Sequence, residues 1–163
     1  MELKDLGKTP ISADKPAGEN VQYDPLFESL SEEIQKLASP TASSAIDWNN
    51  VIRLSKEILE TKSKDLLACL YLSVGLLKIE KLSGFEQSIV ILKDLLETYW
   101  ENMFPPKKRM KKRINAVNWW KEKIEESVPS LQAETWPSER RAEFLDNLNT
   151  VDQFLGDKSE DAP

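Results

Sequence analysis

The chain has 163 residues, 40% hydrophobic and 31% charged, and a formal net charge of −6. That length fits one domain and that apolar content supplies a sizeable core. It contains no histidine, which removes Ser-His-Asp and Cys-His nucleophiles and the common zinc sites. The lone cysteine, Cys69, excludes an internal disulfide and reads as a small buried hydrophobe. No apolar run reaches the roughly 18 residues of a membrane helix, so no membrane insertion is expected. The N-terminal MELKDLGKTPIS lacks the apolar stretch of a secretory signal, and these features together point to the cytoplasm.

Residues 1–22 read as an extended N-terminal arm, because Pro10, Pro16 and Gly18 interrupt any helix. Leu3, Leu6, Ile11 and Val21 are too sparse for a core of their own, and Ile11 and Tyr23 are candidates for pinning the arm to the helices. The stretch 10–25 has one glycine and no Gly-Lys-Ser/Thr, so it is not a phosphate loop. Asp24-Pro25 is a strong helix start, with Asp as cap and Pro at the first helical position. Leu26, Phe27, Leu30, Ile34 and Leu37 form the apolar stripe of that helix, and Glu28, Glu32, Glu33 and Lys36 a solvated face. Residues 39–44 are a loop by composition.

Asp47 caps a second helix, whose Trp48, Val51, Ile52, Ser55, Ile58 and Leu59 face inward. The segment 63–100 then reads as a central hairpin of two long helices, apolar around much of their circumference. Ser63 is its expected N-cap, with Asp65 adding negative charge to the first turn. Its tight turn is expected at Ser83-Gly84, with Gly84 in the left-handed position. Gly75, inside the first of these helices, implies close approach of a neighbour. Tyr99 and Trp100 close the hairpin. Pro105-Pro106 turns the chain into a fifth helix carrying Ile114, Val117, Trp120 and Ile124, which Pro129 ends. Trp119 and Trp120 are adjacent, so their rings diverge. Glu134 to Pro137 is a connector, and Ser138 caps a sixth helix with Phe144, Leu145, Leu148, Val151 and Leu155. Residues 156–163 read as an acidic flexible tail. The expectation is an all-α protein: an antiparallel array of about six helices over 23–155, preceded by the extended arm.

One segment departs from a bland helical surface. In 107–113 six of seven residues are basic: Lys107, Lys108, Arg109, Lys111, Lys112 and Arg113. Without them the net charge of −6 becomes −12. Basic residues at a helix start oppose the macrodipole, so something must offset them. Three readings stand: pairing of Arg109 or Arg113 with Glu97 or Glu101, an acidic protein partner, or nucleic acid or an anionic membrane. Nucleic acid is the weaker of these, since the acidic remainder repels a polyanion.

The ordered pieces resemble the ImpA N-terminal domain of bacterial type VI secretion systems. They are PIS (Pro10 to Ser12), Pro16 and Gly18, YDPLF (Tyr23 to Phe27), DW (Asp47-Trp48) and SKDL (Ser63 to Leu66). They continue with GLLKIEKLSGF (Gly75 to Phe85), YW (Tyr99-Trp100) and PPKKRMKKRINAVNWW (Pro105 to Trp120). The resemblance covers roughly 10–125 and implies an all-helical, non-enzymatic assembly module without cofactor or small-molecule substrate. Its implied partners are baseplate, tube or sheath proteins of the secretion machine. It also implies that Arg109, Arg113, Asn115, Ala116 and Trp119 belong to the domain's common framework. Candidate partner-binding residues are the basic run and, on the arm, Ser12, Gly18 and Tyr23. The runner-up is a nucleic-acid-binding helical module. Surplus aromatics such as Trp119 and Trp136 leave homo-oligomer formation open.

Overall fold

Two aspartates start the first helices as their positions dictate. Asp24 accepts from Leu26 N at 2.9 Å, with Pro25 next, and opens α1, Pro25–Gln35. Asp47 accepts from Asn50 N and opens α2, Trp48–Thr61. The computed structural model describes residues 2–38, 45–131 and 138–159. Beyond α1 and α2 these hold α3, Leu66–Tyr99, α4, Met110–Leu131, and α5, Ser138–Ser159, with short 3-10 turns at Leu3–Asp5 and Lys107–Arg109. Among the described residues β-structure is limited to single bridges, so the fold is all-α. The expected loop 39–44 and the connector with Trp136 lie outside them.

α3 is the central hairpin, and its position is set by burial: nearly every side chain from Leu66 to Leu77 is buried. The helix breaks at Lys81, which takes φ 58° and ψ −137°, and the chain reverses there. Ser73 and Ser88 consequently lie 2.8 Å apart across the two limbs. Among the described residues the count of about six helices resolves into five, with the two hairpin limbs forming one bent element. The turn is not made by Gly84, as expected, but three residues earlier. Gly84 serves close approach instead: a Cβ there would lie 2.4 Å from Leu76 O. Gly75 likewise faces α2, where a Cβ would meet Ile52 at 2.9 Å.

Helices α2, α4 and α5 pack on this hairpin, and α1 packs mainly on α2. The end of α1 meets the start of α2 through Glu33, which accepts from Asp47 N at 3.0 Å and Asn50 Nδ2 at 2.9 Å. Glu33 is therefore buried, contrary to its assignment to a solvated face, because the open start of α2 needs an acceptor there. Its two donors and Lys36 outweigh burial and hold its carboxyl below the usual range. α4 packs on the first limb, its Trp120 Nε1 donating to Ser73 Oγ at 3.0 Å. Ser88 donates to Phe85 O, so Ser73 supplies the hydrogen of the shared Ser73–Ser88 bond, and this buried polar chain crosses three helical rods without an orphan. α5 follows the second limb: Phe144 meets Phe85 and Phe154 meets Trp100, both edge to face.

Several terminations differ from expectation. Pro129 does not end α4, which continues to Leu131; a proline in a last turn removes only one helical hydrogen bond. α5 begins at Ser138 itself and runs through Gly156 to Ser159. Leu145 points outward, 48% exposed.

Lys81 holds a backbone conformation that L side chains rarely adopt. Replacing it with glycine is expected to raise stability by about 1 kcal/mol, read as a higher urea midpoint, whereas Lys81→Ala gains nothing. A Lys81→Gly midpoint at or below wild type refutes the strain assignment.

Candidate partner-docking site

Three irregular segments meet where the hairpin opens: the N-terminal arm, the 62–65 connector and the 100–106 turn. Their backbones are laced together, Glu19 N to Lys62 O, Lys64 N to Ala17 O, Phe104 N to Lys64 O and Leu66 N to Phe104 O. Gly18, at φ +76°, sits so tightly that a Cβ would lie 2.2 Å from Lys62 O. The arm is part of the core here rather than a loose appendage, with Leu6 and Val21 buried and Tyr99 Oη donating to Lys8 O at 2.8 Å. Tyr23 does not pin it, being 82% exposed.

Two buried cations hold this junction, and the hydrogen bonds of both among the described residues go to backbone carbonyls. Lys64 donates to Leu6 O at 2.6 Å and Leu59 O at 2.9 Å, and burial lowers its pKa to about 8. Arg113 donates from Nε to Pro105 O at 2.7 Å, from Nη1 to Trp100 O at 2.9 Å and from Nη2 to Met103 O at 3.0 Å. Its guanidinium lies 4.6 Å from the Trp100 ring centroid. These are the orphan carbonyls at the end of α3 and in the turn after it. Arg113 was expected at a docking surface or paired with Glu97 or Glu101. It is 1% exposed and belongs to the frame, because a planar fork of donors fits a cluster of carbonyls.

Ser63 is buried and bridges to Gly18, and the α3 cap is Asp65, which accepts from Ala68 N at 2.9 Å. This corrects the assignment of the cap to Ser63. Burial raises the Asp65 carboxyl to about 7, against the pull of the Ala68 and Leu67 amides and of Lys112. A buried carboxyl with such a shift in a cleft is a candidate acid or base, but these oxygens are engaged by the helix start. Burial pushes the Cys69 thiol up to about 12, which removes it as a nucleophile.

A groove of about 520 Å³ opens beside this junction, between the arm, the start of α3 and the start of α4. Phe27, Leu67, Leu70, Tyr71, Ala116 and Trp119 give it an apolar lining, with Trp119 edge-on to Tyr71 at 5.1 Å. Pro105 and Pro106 add a rigid wall, and Asn20, Gln22 and Asn115 contribute amides. Lys108, Arg109 and Lys112 add positive charge. Of the basic run, Lys107 pairs with Glu101 at 3.0 Å, both exposed. Among the described residues Lys108, Arg109, Lys111 and Lys112 form no ion pair.

The groove thus gathers part of the basic run with Asn115 and Trp119, while Asp65 lies at its base. Ser12, Gly18 and Tyr23 do not line it; their neighbours Asn20 and Gln22 do. Lys64, Ser73 and Ser88 escaped the sequence reading. The only cue to Lys64 was its place between a helix end and a helix start.

Arg113→Met is expected to destabilise by about 3 kcal/mol or more, since it strands several buried carbonyls, with Arg113→Lys intermediate. A loss under about 1 kcal/mol in urea unfolding shows that the carbonyls find other donors. For Asp65 the unfolded carboxyl titrates at 3.8 and the folded one at about 7, so the folded state holds the extra proton between them. Its stabilising contribution is full below the lower value and declines as pH rises through the upper one. Asp65→Asn keeps a capping side chain and is expected to flatten this part of the stability–pH profile; an unchanged slope contradicts the shift.

The family described as ImpA, N-terminal, type VI secretion system matches residues 8–122. The type VI secretion system component TssA1 of Pseudomonas aeruginosa is 26% identical over 101 residues, spanning 58% of this chain and 29% of that protein. A solved N-terminal domain, including the conserved ImpA_N region, of the TssA component from Burkholderia cenocepacia superposes with a TM-score of 0.60. It is 23% identical and covers 72% of this chain and 45% of that one, a likeness of fold. The chain therefore spans less than a third of the curated relative and under half of the solved chain. With the family match extending over most of its length, the chain belongs to the ImpA N-terminal family of the type VI secretion system.

Proposed function

We propose that this chain is a non-enzymatic, cytoplasmic docking module in type VI secretion assembly, binding an acidic surface on a baseplate, tube or sheath component. The observation that carries this reading is the start of α4, where Lys108, Arg109, Lys111 and Lys112 stand exposed and without ion pairs among the described residues, beside an apolar groove. Like charges at a helix start disfavour the isolated chain, and an acidic partner relieves that repulsion. The family match supports the secretion-system context. The acidic remainder of the chain favours a protein carrying localised carboxylates over an extended polyanion.

The test is co-purification with tagged baseplate, tube and sheath proteins of the same organism, after nuclease treatment and at two salt concentrations. Wild type is expected to retain one of them. The folded variant with Lys107, Lys108, Lys111 and Lys112 all changed to Glu is expected to lose about tenfold or more in affinity. Retention unaffected by these reversals refutes the basic surface as the contact. Binding that disappears with nuclease and falls steeply with salt assigns the surface to nucleic acid instead.

A further inference from the structure

The groove beside α4 has a chemistry more specific than a basic patch. Its apolar lining comes from three directions: Phe27 of α1, Leu67, Leu70 and Tyr71 of α3, and Ala116 and Trp119 of α4. Its volume of about 520 Å³ is within the range that holds a large side chain and adjoining backbone. Lys108, Arg109 and Lys112 supply charge on the α4 side. The amides of Asn20, Gln22 and Asn115 offer donors and acceptors suited to a peptide backbone.

We propose that this groove binds a short acidic segment of a partner protein, an aromatic or large aliphatic anchor flanked by carboxylates. The anchor enters between Tyr71 and Trp119 on one side and Phe27 and Leu70 on the other, and the carboxylates meet Lys108, Arg109 and Lys112. Charge complementarity selects the acidic flanks, and the lining selects the anchor. A nucleic-acid strand fits less well, since the Tyr71 and Trp119 rings are perpendicular, 85° apart, and pack edge to face on each other instead of forming a parallel stacking platform. This deepens the docking-module reading and rests on it: the same surface gains a defined ligand class.

The experiment is selection of a random displayed peptide library on the whole chain, followed by fluorescence-anisotropy titration of the enriched peptides. The expected consensus pairs one aromatic or large aliphatic residue with neighbouring Asp or Glu. Ala116→Phe fills the groove while leaving every cation in place and is expected to weaken those peptides about tenfold or more. Asn115→Trp, at an exposed position on the rim, does the same without entering the core and guards against a folding failure of the first variant. Lys112→Glu is expected to weaken binding about tenfold, and Lys121→Glu, exposed on the same helix but outside the lining and the basic run, to leave it within about twofold. No enrichment, a consensus without acids or without an anchor, or unchanged affinity in both filled variants overturns the groove as the site. If the co-purification above still succeeds, the docking-module reading survives that failure. An oligonucleotide that binds wild type and loses affinity in both filled variants also overturns the peptide assignment.

Discussion

The open end of the hairpin depends on two buried cations hydrogen-bonded to backbone carbonyls. Arg113 gathers three carbonyls from the end of α3 and the turn beyond it, and Lys64 joins the end of α2 to the N-terminal arm. Carbonyls at helix C-termini carry partial negative charge and lack intrahelical donors, so a cation there answers hydrogen bonding and electrostatics together. A carboxylate would match the charge of Arg113 but leave those carbonyls unpaired. The desolvation of each cation is substantial, as the lowering of Lys64 to about 8 and of Arg113 to about 10 indicates. The geometry tolerates it because each donor set is spent on acceptors that the fold would otherwise bury unsatisfied.

Once Arg113 is fixed, the placement of the rest of the run follows. It anchors the first turn of α4 against the 100–106 turn, so the residues before it cannot turn inward together. Lys108, Arg109, Lys111 and Lys112 stay in solvent, and three of them fall along the groove. The same fixing sets Asn115, Ala116 and Trp119 on the turns that follow. The groove is therefore a consequence of the frame that closes the bundle, and its cationic side comes from the segment that supplies the frame's buried guanidinium.

Much of this fold was legible in the residues. Asp24-Pro25 and Asp47 announced their helices because a side-chain cap is a local interaction. The central hairpin was legible because its apolar face is too broad for a surface helix. What failed depended on contacts distant in sequence. Gly84 looked like a turn residue, but its requirement is set by Leu76 O on the opposing limb, and the reversal fell on Lys81, whose identity carries no turn signal. Ser63 was read as the cap, but the arm takes it into a bridge with Gly18 and the cap falls to Asp65. Glu33 was one acid among several until the start of α2 was placed beside it. At the site, the residue types were legible and their division was not: nothing local separates Arg113 from Arg109 or Lys112.

That division bears on function. A cation required by the fold is explained by the fold, and Arg113 needs no ligand to account for it. Lys107 has a partial explanation in Glu101, although an exposed pair contributes little. Lys108, Arg109 and Lys111 have neither and Lys112 has only a coulombic pull on Asp65, and all four stand where the α4 dipole and their own repulsion make them locally unfavourable. Natural sequences are largely consistent from local to global structure, and departures concentrate where function imposes them. A local conflict beside a preformed apolar groove is the form such a departure takes at a docking surface. The chemistry that resolves it must bring negative charge and apolar bulk together, which a carboxylate-flanked anchor supplies and a free anion does not.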